Sequence, residues 1–257
     1  MTGTHHETTT TSGMVVRPLR FTDHVQEMRD FLVLLGLSPR VSSESGSWID
    51  LVGAAGLTAL HAVATSSTGA VPGQTDLGFE VDDLDRLGRA LGGAGVDDVE
   101  VVDEAWGRVL RLTTPAGVSA WVDEVARDDY GYRRETPQPR HGVTTAPVRI
   151  TEPAGPYPAM LAALGFRRLD EGDDQWWRVW SAGGNGGLIA LHPPTDEAIP
   201  GDTRLGFRTD EPLTALADRL DAAGHSDVSV TDEFGGELTV TDPDGQHVLV
   251  QRIGAVG

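Results

Sequence analysis

Gly56-Leu57-Thr58-Ala59-Leu60-His61 returns 131 residues later as Gly187-Leu188-Ile189-Ala190-Leu191-His192, and Leu77-Gly78-Phe79 returns 128 residues later as Leu205-Gly206-Phe207. Working outward, Pro18-Leu19-Arg20-Phe21-Thr22 matches Pro147-Val148-Arg149-Ile150-Thr151, and Leu34-Leu35-Gly36-Leu37 matches Ala163-Leu164-Gly165-Phe166. Trp48 matches Trp177, Asp103-Glu104 matches Asp232-Glu233, and Pro115-Ala116-Gly117 matches Pro243-Asp244-Gly245. Order and spacing are kept throughout, which marks an internal repeat. The expected organisation is a tail over 1–13, a first domain over 14–125, a linker over 126–144 and a second domain over 145–253.

Each copy changes its hydrophobic period in a fixed order. In copy one, Val15 to Phe21 reads as a strand. Asp23 then stands as the cap of a helix whose Met28, Phe31, Leu32 and Leu35 form one stripe ended by Gly36. Three strands follow, at Pro39 to Ser43, Ser47 to Val52 and Leu57 to Val63. The same βαβββ order recurs from Thr75, with a helix capped by Asp83 and strands at 99–102, 107–112 and 118–122. Copy two repeats the plan, with helices at 158–164 and 212–223. The chain therefore predicts an α+β fold of four βαβββ modules in two pairs.

Composition narrows the function classes. The 257 residues contain no cysteine and, by inspection, no lysine; the net charge is −19. Thiol and Schiff-base chemistry are thereby excluded. A nucleic-acid partner is not expected, because binding a polyanion needs a basic footprint. No apolar run has the length of a membrane span, and the expected setting is the cytoplasm. A monomer with two pseudo-dimeric domains and a homodimer both remain open.

Paired βαβββ modules, with a Gly-Phe after the first helix of copy two, a Gly-Phe-x-Val-Asp-Asp strand and a Pro-Asp-Gly turn before the last strand, resemble the vicinal oxygen chelate superfamily. This is the group of glyoxalase I, bleomycin-resistance proteins and extradiol dioxygenases. The resemblance implies that each pair of modules rolls a mixed sheet into a U-shaped cleft, where metal-dependent members place His, Gln or Glu. Those positions fall here on Val16 and Thr145, Ala59 and Ala190, Asp76 and Arg204, and Trp121 and Leu249. Only Asp76 among them could bind a metal, so the expectation is no metal and no cofactor. A one-residue shift of register, which exchanges the two faces of a strand, keeps a divalent metal as the alternative.

Alternation places Arg20, His61, Asp76, Glu80 and Trp121 toward the first cleft, and Arg149, His192, Arg204, Arg208 and His247 toward the second. His61 and His192, in the repeated Ala-Leu-His runs, are either proton carriers or hydrogen-bonded strand residues. Arg20 and Arg149 are either bidentate clamps for an anion or members of ion pairs. The expected function is metal-independent binding and sequestration of a small aromatic or anionic compound, as drug-resistance members of that superfamily perform. The alternative is an enzyme of the same superfamily, a lyase, isomerase or dioxygenase, using His and Arg or an unrecognised metal site.

Overall fold

The computed structural model describes residues 13–94, 96, 98–104, 106–126, 131–169, 176–232 and 235–253. Residues 1–12 of the expected tail lie outside the described residues. Module one contains β1 (Val15–Val16), β2 (Leu19–Thr22), α1 (Val25–Leu35), β3 (Ser38–Ser43), β4 (Trp48–Val52) and β5 (Leu57–Ala62). Module two contains β6 (Thr75–Asp76), β7 (Phe79–Val81), α2 (Leu84–Gly93), β8 (Asp98–Glu104), β9 (Gly107–Thr113) and β10 (Ser119–Glu124). After β11 (Tyr132–Arg134), module three contains β12 (Thr144–Thr145), β13 (Val148–Ile150), α3 (Tyr157–Ala163), β14 (Arg167–Arg168), β15 (Arg178–Ser181) and β16 (Leu188–His192). Module four contains β17 (Thr203–Arg204), β18 (Gly206–Thr209), α4 (Leu213–Ala222), β19 (Ser229–Thr231), β20 (Glu237–Thr241) and β21 (His247–Arg252). The architecture is the expected α+β fold of four related modules.

The helices form for the reasons the stripes suggest. On α1, Val25, Met28, Phe31, Leu32 and Leu35 are buried, and Gly36 ends the helix in the left-handed region at φ 113°, where an L side chain is disfavoured. The start of α1 differs from expectation. Asp23 does not cap it: His24 stands at the N-cap and no side chain caps the helix, while the Thr22 hydroxyl accepts from the His24 backbone N–H at 2.9 Å just before it. On α2 the Asp83 side chain accepts from Arg86 N, as expected of an N-cap.

Each module builds most of one sheet and lends its first short strand to the sheet of its neighbour. The sheet orders are β11-β3-β4-β5-β2-β6, β1-β7-β10-β9-β8, β14-β15-β16-β13-β17 and β12-β18-β21-β20-β19. The first strand of every module breaks in two, so that β1 pairs with β7 while β2 pairs with β5 and β6. This break hands the chain from one half of the U to the other, and Arg17-Pro18 sits at the crossing. The expected linker is not wholly irregular: β11 adds to the edge of β3.

The two hydrophobic cores belong to both copies. One packs Leu84, Leu87 and Leu91 of α2 with Tyr157, Met160 and Leu161 of α3; the other packs Met28, Phe31 and Leu32 of α1 with Leu213, Leu216 and Leu220 of α4. The copies meet on a pseudo-twofold at Gly56 and Gly187, with φ 77° and 85°. A Cβ on Gly56 would lie 2.8 Å from Thr145 Cβ.

Candidate functional site in the first cleft

Strand pairing sorts the side chains of copy one into two sets. Val16, Phe79, Leu110 and Val122 join the core shared with copy two. Their neighbours Arg17, Glu80 and Asp123 take the opposite face, and Asp50 and Ala59 face the same cleft from β4 and β5. Arg40 arrives by a different device. The β3–β4 register shifts between Pro39 and Val41, and a bulge of this kind re-aims the extra residue.

These side chains converge on Arg17. Its Nε lies 3.1 Å from Asp50 Oδ1 and 3.8 Å from Glu80 Oε2, and its Nη1 lies 2.7 Å from Asp123 Oδ2. Arg40 Nη2 reaches Asp50 at 2.8 Å and Glu80 at 2.6 Å. Burial opposes the charge on Arg17, but Asp50, Asp123 and Glu80 outweigh it and hold the guanidinium more firmly protonated than usual. Burial likewise pushes the Asp50 carboxyl up, while Arg17 and Arg40 outweigh that push and hold it below the usual carboxylate range. Asp123 behaves differently. Burial pushes it up, Glu80 and Asp50 push the same way, and Arg17 only partly offsets them. Two arginines thus face three carboxylates, and burial beside Glu80 and Asp50 raises Asp123 where the two arginines lower Asp50.

Aromatic rings wall this charged floor. Arg17 Cζ lies 5.2 Å from the Trp48 ring, within cation–π range. Trp48 in turn packs edge-on against His61 at 5.3 Å, and Phe21 lies beneath His61 at 5.7 Å. Trp106 hydrogen-bonds Asp123. Trp121, on the cleft face of β10, lies under Arg111 at 5.1 Å. Trp106 and Trp121 remain 55% and 52% exposed, unusual for the largest apolar side chain.

The second cleft has a different character. At the places of Arg17, Asp50, Glu80 and Asp123 stand Ala146, Val179, Arg208 and Gln251. Its interior is an apolar cluster of Val148, Ile150, Ala190 and Ala198, with Trp177 and Leu249 packed against it.

The expected site residues therefore separate. His61 and Trp121 face the first cleft beside Arg17's cluster. Asp76 shares their side but is exposed, with Gln74 donating to it at 2.9 Å. His61 is half-buried, burial lowers its pKa, and its Nε2 lies 3.3 Å from the Thr65 hydroxyl. Arg20 and Arg149 require correction: neither lines a cleft. Arg20 pairs in register with Leu60, on the face packed against copy two, and Arg149 pairs with Leu191 on the corresponding face. Val16 likewise lies in the core, and Arg17 is the cleft-facing residue. In copy two, His192 bonds Pro193 O through Nδ1 at 2.7 Å and packs against Trp177 at 5.9 Å. Arg204 donates to Glu197 O at 2.5 Å, and His247 is exposed at the start of β21. Among the described residues no hydrogen bond or ion pair joins Arg204, His192 and His247 to one another. Arg17, Asp50, Arg40 and Asp123 lie outside the expected set; Asp50 and Asp123, charged residues among the apolar ones of β4 and β10, are the signal that could have found the cluster.

A divalent cation needs several N or O donors free to turn toward it. The donors that converge in the first cleft are committed to Arg17 and Arg40, and a dication among them would sit against the Arg17 guanidinium. Among the described residues no group of three or more His, Asp or Glu side chains is arranged to hold one. The residues present do not fit a metal ion without displacing Arg17.

Comparison with solved structures finds the same architecture in several dioxygenases. A catechol 2,3-dioxygenase matches with a TM-score of 0.60 and 14% identity, over 93% of this chain and 87% of its own. The 2,3-dioxygenase LapB from Pseudomonas matches at 0.60 and 12%, over 94% and 91%. The 2,2',3-trihydroxybiphenyl 1,2-dioxygenase of Sphingomonas wittichii matches at 0.57 and 14%, over 94% and 91%. No family model matches the sequence, and no curated protein matches it. At these identities the likeness is one of fold. Among the described residues no helix is long and apolar enough to cross a membrane.

Proposed function

We infer that this chain, which has the paired-module fold of the vicinal oxygen chelate superfamily, uses its first cleft to hold a flat aromatic compound of neutral or positive charge without a metal ion. The observation that carries this reading is the position of Arg17. Its guanidinium gathers Asp50, Glu80 and Asp123 as a bound cation would, and it ties the two halves of the U together. What remains for a ligand is the aromatic wall of Trp48, Trp106 and Trp121. On the cleft face Asp50, Asp76, Glu80, Glu104 and Asp123 outnumber Arg17, Arg40 and Arg111, which disfavours an anion in this cleft.

Stacking on an exposed indole contributes about 0.5–1.5 kcal/mol, and a cationic ring adds a comparable amount. The test is calorimetric titration with proflavine, a planar aromatic cation. Binding to the wild-type protein and a loss of roughly five- to thirtyfold in Trp121→Ala are expected for about 1–2 kcal/mol. Binding of equal strength by Trp121→Ala would move the ligand elsewhere.

One observation favours a second reading. Asp123 combines a raised pKa, a side chain 31% exposed and a guanidinium within 2.7 Å, which are the attributes of a proton carrier in a cleft. Under that reading a bound aromatic compound is converted, and Asp123→Asn retains binding while abolishing conversion. Recovery of every bound compound unchanged supports sequestration instead.

A further inference from the structure

Arg20 and Arg149 occupy the same place in the two copies, yet different turns meet them. Arg20 is closed off. Its Nη2 lies 2.5 Å from Asp242 Oδ2, with side-chain exposures of 2% and 0%, and its Nη1 donates to Gly73 O. Two residues on, the Thr22 hydroxyl donates to Asp244 Oδ1 at 2.7 Å. Asp242 also holds its own turn, since Oδ1 accepts the backbone N–H groups of Asp244 and Gln246 at 3.0 and 2.9 Å. One turn of copy two thus presents a carboxylate to Arg20 and another to Thr22.

The repeat aims the turn Thr114-Pro115-Ala116-Gly117-Val118 of copy one at Arg149 and Thr151 in the same way. Here both carboxylates are missing, because Thr114 replaces Asp242 and Ala116 replaces Asp244. Thr114 keeps the turn-holding task, accepting from Val118 N at 3.2 Å, but has no second oxygen to offer the arginine. Among the described residues Arg149 is left with one hydrogen bond, from Nη1 to the Thr203 hydroxyl at 3.0 Å, and with the Tyr157 ring 5.4 Å from its Cζ. Its Nε, like that of Arg20, is buried without a partner among the described residues. Among the described residues no carboxylate lies within ion-pair distance of it.

The space is open. A cavity of about 420 Å³ lies between this turn and Arg149. Val118, Pro156, Tyr157 and Pro200 supply apolar wall, while Arg149 and Thr151 supply donors. Glu152 is exposed at its rim, and no ion pair joins it to Arg149.

We propose that this cavity is a second binding site, distinct from the first cleft, and that it takes a small organic carboxylate whose charged group stands beside Arg149 as Asp242 stands beside Arg20. The apolar walls call for an organic body, and Arg20's partner is the template for the charged end. A carboxylate on a guanidinium forms charge-assisted hydrogen bonds, stronger than neutral ones. Their loss costs about ten- to hundredfold in affinity.

The test is calorimetry with sodium benzoate and with benzamide, its neutral isostere, on the full chain. Benzoate is expected to bind with a stoichiometry near one and benzamide at least about tenfold more weakly. Arg149→Gln should weaken benzoate by about ten- to hundredfold. Thr114→Asp should do the same by supplying the carboxylate internally, and should raise the melting temperature, so it remains informative if Arg149→Gln fails to fold. Trp121→Ala, which tests the first cleft, should leave benzoate binding unchanged. The proposal is overturned if benzoate does not bind, if benzamide binds equally well, or if Thr114→Asp binds benzoate like the wild type. It is also overturned if Trp121→Ala is the variant that loses benzoate.

Discussion

Replacing Asp242 by threonine, the residue copy one carries at this place, separates two tasks that Asp242 performs together. A threonine hydroxyl can still accept a turn N–H, as Thr114 does from Val118. It cannot pair with Arg20, whose side chain is 2% exposed and among the described residues otherwise hydrogen-bonds only Gly73 O. A buried charge deprived of its partner typically costs about 3–5 kcal/mol. Asp242→Ala additionally frees two turn N–H groups, worth about 0.5–1.5 kcal/mol each. At roughly 2–4 °C per kcal/mol for a chain of this size, Asp242→Thr should lower the melting temperature by at least about 6 °C, and Asp242→Ala by more. Urea unfolding should show a reduced midpoint at unchanged slope. The double variant Arg20→Met with Asp242→Thr should recover most of the Asp242→Thr loss, because it removes the stranded charge and keeps a hydroxyl to accept a turn N–H. An Asp242→Thr protein within about 1 kcal/mol of the wild type would refute the reasoning, since the ion pair would then contribute no more than an exposed one.

Gly56→Ala should destabilise more than Gly69→Ala. Both have φ near 75°, but only the former would place its Cβ 2.8 Å from Thr145; the left-handed backbone costs about 1–2 kcal/mol in each, and crowding adds about 1–3 kcal/mol at Gly56. Equal unfolding midpoints would remove the crowding at the pseudo-twofold. Because burial lowers the His61 pKa, the unfolded chain takes up that proton first. The stability contributed by neutral His61 is therefore full above about pH 6.5 and declines as pH falls through the folded value; His61→Asn should flatten that part of the stability–pH curve. After dialysis against zinc or manganese the wild type should retain less than stoichiometric metal by elemental analysis. Arg17→Ala, which leaves Asp50, Glu80 and Asp123 gathered, should gain a metal-dependent rise in melting temperature, and equal rises in both proteins would show that Arg17 does not block the site.

The repeat, the βαβββ order and the helix stripes were legible because they rest on local periodicity. The cleft was legible only in part. Asp76, Glu80, His61 and Trp121 share one face in the strand registers, but the first strand of each copy sits one residue away from the register that simple alternation predicts. The reason lies in Arg20 and Phe21. Ordinarily the apolar residue of such a pair marks the core and the charged one marks the cleft. Here both are about 1% exposed: Phe21 packs beneath His61 on the cleft side, and Arg20 meets a carboxylate 222 residues away. A strand buried on both faces carries no hydrophobic alternation to fix its parity, and the partner that makes a buried arginine tolerable is invisible to any local window. Arg40 escaped for a related reason, since a bulge breaks the alternation on which the expectation depended.

The sharing of both cores between copies bears on how such a chain diverges after duplication. Each half supplies a wall of the other's interior, so neither can be discarded or allowed to lose its outer shape, even when its own cleft has no further use. Selection on packing and selection on chemistry then act on opposite faces of the same strands. The second copy shows that division: it shares both cores with the first, while Ala146, Val179 and Leu249 stand where the first cleft has Arg17, Asp50 and Trp121. One half of the chain is thereby kept as the mould in which the other half holds its site.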